Sequence, residues 1–130
     1  MDTKKRGDEG ETIACGYLVK KGFKILVRNY RISFGEIDII AKKRWGFLFG
    51  DKTIHFVEVK TLADQQNNFN PEEHVDAKKK NKLRQMAEIW LEKKRFKQPQ
   101  PYQIDIIGIS IDQNTNKARI SYFENIIEGV

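Results

Sequence analysis

The sequence predicts an α/β fold, a mixed β-sheet flanked by helices, with the elements in the order α-β-β-β-α-β-β. Three observations predict it. Two stretches carry apolar residues at helical spacing: Ile13, Ala14, Tyr17 and Leu18 near the start, and Leu83, Met86, Ala87, Trp90 and Leu91 in the middle. The stretches between and after them are short, rich in β-branched and aromatic residues, and place many of their charges at alternate positions. The chain has 130 residues, without repeats or linkers, which suits one domain over residues 1–130 with a buried core.

Taken in order, Met1 to Arg6 is basic and reads as a frayed start. A helix is expected from Gly7 to Lys21. Asp8, Glu9 and Glu11 lie early in it, where the dipole favours them, and Gly22 fits the left-handed position that ends a helix. Phe23 to Tyr30 reads as a strand, and Asn29 to Gly35 turns the chain. A central strand pair follows, Glu36 to about Lys42 and about Thr53 to Lys60. The segment Lys43 to Lys52 holds Trp45, Phe47, Leu48 and Phe49, bracketed by Gly46 and Gly50. It is expected to extend the two strands with partial exposure. The alternative is an exposed patch for a partner or a second copy of the chain.

Thr61 to Asn70 is polar and reads as a mobile loop. Asn70-Pro71-Glu72-Glu73 resembles a helix start, with Asp76 as an alternative start, and the helix runs to about Arg95. Gln98-Pro99-Gln100-Pro101 breaks it. Tyr102 to Ile111 is an isoleucine-rich strand, Asp112 to Lys117 a turn, and Ala118 to Phe123 the last strand. Ile126-Ile127 is expected to tuck a short tail onto the sheet.

The formal net charge is +6, with clusters at Lys4-Lys5-Arg6, Lys42-Lys43-Arg44, Lys78-Lys79-Lys80 and Lys93-Lys94-Arg95. A basic balance favours polyanion partners, nucleic acid first, although basic helices are often simply solvated. The single cysteine, Cys15, excludes an intramolecular disulfide and reads as a small core residue. Without a cysteine–histidine cluster a structural zinc site is not expected. No apolar run approaches membrane-spanning length and the N-terminus lacks a signal-peptide segment, so no membrane is expected and the cytoplasm is the expected compartment.

Chemistry concentrates on the central strand pair. Side chains at i and i+2 share a strand face, so Glu36 and Asp38 share one, as do Glu58 and Lys60, with Ile37, Ile39, Val57 and Val59 on the opposite faces. If the strands pair, Asp38, Glu58 and Lys60 converge at one sheet end. Two carboxylates in an apolar strand pair are costly to bury without a partner. Mg2+ is held by one or two carboxylates plus waters and substrate phosphates. A lysine beside such a site can orient an attacking water or stabilise phosphate charge. Set against this, Glu-x-Lys alone is common, and alternating charges usually mark a solvated face.

Glu11 borders the buried face of the first helix, as a helix N-terminal charge or as a third carboxylate aimed at the strands. Lys78, Lys79 and Lys82 stand at the N-terminal end of the long helix, in solvent or meeting phosphates. Asp105 reads as a structural residue before a site member. His55 reads as a sheet-face residue, and neither it nor His74 has the partners of a nucleophile–histidine pair.

These residues together match a known pattern. Glu11 on a helix that ends in Lys20-Lys21-Gly22-Phe23, Asp38 within Gly35-Glu36-Ile37-Asp38-Ile39-Ile40-Ala41, and Glu58-Val59-Lys60 resemble the PD-(D/E)XK nuclease superfamily, with its restriction-endonuclease-like sheet. Nearly the whole chain, including Arg28-Asn29-Tyr30 and Ile104-Asp105-Ile106-Ile107, is similar to the YraN family of small bacterial proteins, which resemble Holliday-junction resolvases. The resemblance implies a metal-dependent endonuclease that hydrolyses DNA phosphodiester bonds, branched DNA included. It implies Mg2+ or Mn2+ on Asp38, Glu58 and the main-chain carbonyl of Val59, with Lys60 as the catalytic lysine and Glu11 as an accessory helix carboxylate. Glu36 matches the pattern without a settled role, and Ile37 stands where the superfamily's proline would be. Resolvase-like enzymes act as pairs, so a homodimer is compatible. The alternative is a catalytically inactive nucleic-acid-binding or assembly protein on the same fold.

Overall fold

Apolar residues at alternate positions can bury both faces of a sheet only if something covers each face, and the two amphipathic helices do so. In the computed structural model, which describes residues 3–62, 74–112 and 114–127, the chain runs α1 (Thr3–Lys20), β1 (Phe23–Ile32), β2 (Gly35–Lys43), a 3-10 turn (Gly46–Phe49), β3 (Ile54–Leu62), α2 (Ala77–Lys94), β4 (Tyr102–Ile111) and β5 (Ala118–Phe123). The strands form one sheet in chain order, β1-β2-β3-β4-β5. β1, β2 and β3 make an antiparallel meander, β3 and β4 are parallel, and β5 returns antiparallel to β4. The segment carrying α2 supplies the crossover that a parallel pair needs. The element order agrees with the expected one.

The core has two halves, one on each face. Leu83, Met86, Ala87 and Trp90 of α2 pack on Ile37, Ile40, Phe56, Ile104 and Ile106. Ala14 and Leu18 of α1 pack on Ile39, Ala41, Val57, Ile107 and Ile109, with Cys15 partly buried beside them. The tail closes onto the α2 face: Ile126 N–H donates to Ile104 O at 2.8 Å, and Ile126 and Ile127 join that cluster. None of the described helices is long and apolar enough to cross a membrane.

Several boundaries differ from expectation for physical reasons. α1 begins at Thr3 rather than Gly7, since Lys4, Lys5 and Arg6 are good helix formers with no breaker among them. It ends as expected at Gly22, whose φ of 94° is left-handed. β3 runs on to Leu62 because Thr61 and Leu62 still pair with Ile109 and Ser110. Asp76 caps α2, accepting from Lys79 N–H at 2.8 Å. The alternative start at Asn70-Pro71 and the rest of the polar loop lie outside the described residues.

Trp45 to Phe49 do not extend the strands. Leu48 N–H donates to Trp45 O at 3.0 Å and Asp51 N–H to Gly46 O at 2.8 Å, closing a single tight turn. Gly50 takes a left-handed φ of 73°, and a Cβ on Gly46 would overlap the Asp51 carbonyl. The bracketing glycines therefore make a turn, and its apolar side chains are exposed.

Ile37 packs on the α2 face and Ile39 on the α1 face, although the two should share a side. The alternation breaks at Asp38, where β2 leaves β3: the ladder pairs Ile39 with Val57 and goes no further toward Ile37.

Candidate functional site

Where β2 departs from β3, backbone groups on β3 lose their strand partner, and Asp38 fills the gap. Val59 N–H donates to Asp38 Oδ2 at 2.7 Å. The N–H and C=O of one strand residue point the same way, so the Val59 carbonyl faces the same gap. Glu58, buried, stands next to it and shares a hydrogen bond with Asp38. Burial, then the Asp38 charge and that hydrogen bond, push the Glu58 carboxyl up to about 8, while Lys79 and Lys60 pull it down. Two carboxyls in contact inside a poorly solvated notch share a proton or require a cation.

The N-terminal end of α2 meets this notch. Lys79 Nζ lies 3.4 Å from Glu58 Oε2. Lys82 Nζ sits 5.5 Å from the Phe34 ring centroid, above the β1–β2 turn. Lys78 is exposed. Of the three lysines placed at this helix end by sequence, Lys79 thus engages the carboxylates directly. Lys60 is half-buried and close enough for its charge to act on Glu58.

On the other face, Gly10 brings α1 against β3: a Cβ there would overlap Thr61 Oγ1. That close approach delivers Glu11, buried, within reach of the Asp38 charge. Burial raises the Glu11 carboxyl, Arg28 opposes it and Asp38 adds to it. Arg28 Nε donates to Glu11 Oε1 at 2.9 Å. Glu36, in contrast, is exposed and pairs with Arg31 at 3.2 Å. The structure therefore gathers Asp38, Glu58, Lys60 and Lys79, sets Glu11 behind them under Arg28, and leaves Glu36 at the rim.

Sequence reasoning gave Arg28 no role. Its signal was a charge on a strand that faces the Glu11 helix. It also missed a second polar cluster. His55 Nδ1 lies 2.7 Å from Asp105 Oδ2, and Tyr122 Oη donates to the same oxygen at 2.6 Å. Gln103 Nε2 and Asn125 N–H donate to Asp105 Oδ1 at 2.8 and 2.9 Å. Burial raises this carboxyl, but the donors from His55, Tyr122 and Asn125 outweigh it and hold it below 3.8. Among the described residues, the trio whose ligand atoms come within 4.8 Å is His55, Asp105 and Glu124, not the three carboxylates Glu11, Asp38 and Glu58. With both Asp105 oxygens already engaged, that trio reads as a structural network tying β5 to the sheet, which fits the structural role expected of Asp105. His55 is a buried partner rather than a simple sheet-face residue.

The donor set of the first notch, Asp38 and Glu58 with a main-chain carbonyl beside them, is all oxygen. It suits a hard divalent cation that keeps waters of its own. Comparisons with known proteins stand beside this geometry. A UPF0102 protein of Campylobacter lari is 40% identical over 116 residues, spanning 89% of this chain and 93% of that protein. One of Caldicellulosiruptor bescii is 36% identical over 125 residues, 96% of this chain and 98% of its own. One of Dictyoglomus turgidum is 38% identical over 127 residues, 96% and 98% of the two chains. A solved structure, Pyrococcus furiosus SfsA in complex with Ca2+, overlays with a TM-score of 0.35 at 16% identity, over 95% of this chain and 64% of that one. The model of the family described as "Uncharacterised protein family UPF0102" matches residues 10–109, and the chain belongs to that family.

Proposed function

We propose that this protein is a divalent-metal-dependent endonuclease of the PD-(D/E)XK kind, acting on DNA and on branched DNA in particular. The observation that supports it is the Asp38–Glu58 carboxyl pair, set beside Lys60 and the Val59 backbone at the point where β2 and β3 part. Bound Mg2+ or Mn2+ would polarise a phosphodiester and acidify a water. The chain's own groups do the rest. Asp38 is fixed by the Val59 N–H, so its free lone pairs point in a set direction. Glu58 is held in the notch by Lys79. Lys60 orients a water or steadies the charge that develops on phosphate. Arg28 holds Glu11 so that its carboxylate supports the site from behind without joining it.

The test is cleavage of labelled junction, flap, duplex and single-stranded DNA with Mg2+ or Mn2+. Asp38→Ala and Lys60→Ala are each expected to lower the rate by about 100-fold or more, with an unchanged circular-dichroism spectrum. Cleavage that survives Asp38→Ala would falsify the reading. One observation favours the non-catalytic alternative: Lys79 Nζ already stands 3.4 Å from Glu58 Oε2, in the place where a cation would compensate the carboxyl. A protein of that kind has no saturable Mn2+ site that depends on Asp38 and Glu58, and isothermal titration separates the two.

A further inference from the structure

The far end of the β2–β3 hairpin carries a feature that the carboxylate notch does not use. It lies about 17 Å along β2 from Asp38, counted to Lys43 at the strand rise of about 3.4 Å per residue. There the 3-10 turn holds Trp45, Phe47, Leu48 and Phe49 out in solvent. Beneath Phe47 is a hollow of about 260 Å3, lined by Phe47 and Phe96 and by Lys42, Lys43, Arg44 and Lys52 among others. Phe47 and Phe96 are 66% and 43% exposed. They come from different parts of the chain, the hairpin tip and the segment after α2, yet face one concavity. Leaving these two rings partly in water is a standing cost, which an occupant would recover.

The charges say what the occupant is. Asp51, the one acidic residue lining the hollow among the described residues, is committed to Lys43 at 3.4 Å and to Thr53 N–H at 3.0 Å. For Lys42, Arg44 and Lys52 no acidic partner lies within ion-pair distance among the described residues. The hollow thus offers flat aromatic faces bordered by uncompensated cations. A second copy of the chain would set this basic collar against itself across a two-fold axis, which like charges oppose. An anionic lipid surface would take the convex tip and leave the concave Phe47–Phe96 pocket unfilled. A strand of unpaired nucleotides uses both parts: each base has a face to stack on a ring, and each phosphate an anion to meet a lysine or arginine.

We infer that this end of the hairpin binds single-stranded nucleic acid, with bases stacked on Phe47, Phe96 and Trp45 and the backbone phosphates on Lys42, Arg44 and Lys52. The site stands apart from the carboxylate notch and does not need the chain to cut. On the DNA-cleavage reading it would hold the unpaired segment of a branched substrate while the notch meets the duplex.

Binding of a fluorescein-labelled oligothymidylate, followed by anisotropy in EDTA, tests the site with cleavage silenced. The double variant Phe47→Ser with Phe96→Ser is expected to weaken binding by about tenfold or more, and Phe47→Tyr with Phe96→Tyr to restore it. Lys42→Gln with Lys52→Gln is expected to flatten the slope of log affinity on log salt by about 0.7 for each phosphate no longer neutralised. Trp45 is exposed and Trp90 buried, so oligonucleotide should quench the red, exposed emission and leave the blue. Equal affinity for wild type and the serine double variant overturns the inference. So does binding to phosphatidylglycerol vesicles, or a dimer in sedimentation, that the serine variant abolishes while oligonucleotide binding persists. A protein that binds oligonucleotide here but cleaves nothing with Mn2+ overturns the nuclease reading alone.

Discussion

At the scale of single residues, the surroundings of Glu58 oppose its ordinary ionised state. Its carboxyl is raised to about 8 in the folded protein by burial and by Asp38, against an ordinary value of 4.5. Between those two values the folded chain keeps a proton that the unfolded chain has released. Metal-free stability therefore falls as pH rises from about 4.5 to about 8. Glu58→Gln is expected to remove that slope and to stabilise the metal-free protein at pH 8 by more than about 1 kcal/mol, read from urea midpoints across the range. Saturating Mn2+ should flatten the same slope in the wild type, since a cation replaces the proton. Asp105 behaves oppositely. Its donors hold it below 3.8, so its contribution is complete above that value and is lost as acid carries the pH down through the depressed one. Asp105→Ala leaves His55, Tyr122, Gln103 and Asn125 with donors unmet at a site that is 0% exposed. It is expected to cost about 3 kcal/mol or more, measured by denaturant unfolding at neutral pH.

At the scale of elements, α1 comes close against β3 where Gly10 meets Thr61. Alanine is normally the better helix residue by about 1 kcal/mol. At Gly10 its methyl would meet Thr61 Oγ1, so Gly10→Ala is expected to destabilise by about 1–3 kcal/mol instead. Thr61→Ala in the same chain should recover most of that loss, and the coupling energy of the double-mutant cycle is the check. An additive pair would mean that the helix approaches elsewhere. Most elements were legible from the sequence because each carries its own period: the isoleucine alternation of β4, the Leu83–Trp90 stripe of α2 and the Gly22 stop are local signals. What was not legible depends on tertiary geometry. Trp45 to Phe49 looked like strand because aromatic residues favour strands, and the glycine backbone overrode that preference. Ile37 and Ile39 looked like neighbours on one face under strict alternation, whereas β1 and β2 change faces together between Arg28↔Ile39 and Tyr30↔Ile37, beside Asn29 with its left-handed φ of 57°.

At the scale of the whole molecule, the candidate site draws on both faces of the sheet. Asp38, Glu58 and Lys60 come from two neighbouring strands, Lys79 from the helix on one face and Glu11 from the helix on the other. The spacing of Glu36-Ile37-Asp38 and Glu58-Val59-Lys60 makes the strand pair readable in the sequence. The cations that meet its carboxyls, Arg28 and Lys79, were not readable as their partners, because no local period links residue 28 to 11 or residue 79 to 58. A long-range ion pair of this kind is a property of the packed molecule.

The order of the strands has a kinetic consequence. Among the described strands, every sheet neighbour is also the next strand along the chain, so the β1–β2–β3 meander can form through short loops. The exception is the parallel pairing of β3 with β4, which must close the loop that holds α2. That closure carries the largest entropy cost in the sheet and is the expected rate-limiting search. Until it occurs, β3 is an unpaired edge that displays Ile54, Phe56 and Val57, a run prone to pairing with other chains. Nascent or heat-unfolded protein is therefore most vulnerable to aggregation through the strand that bears Glu58 and Lys60, and rapid folding of α2 is what shields it.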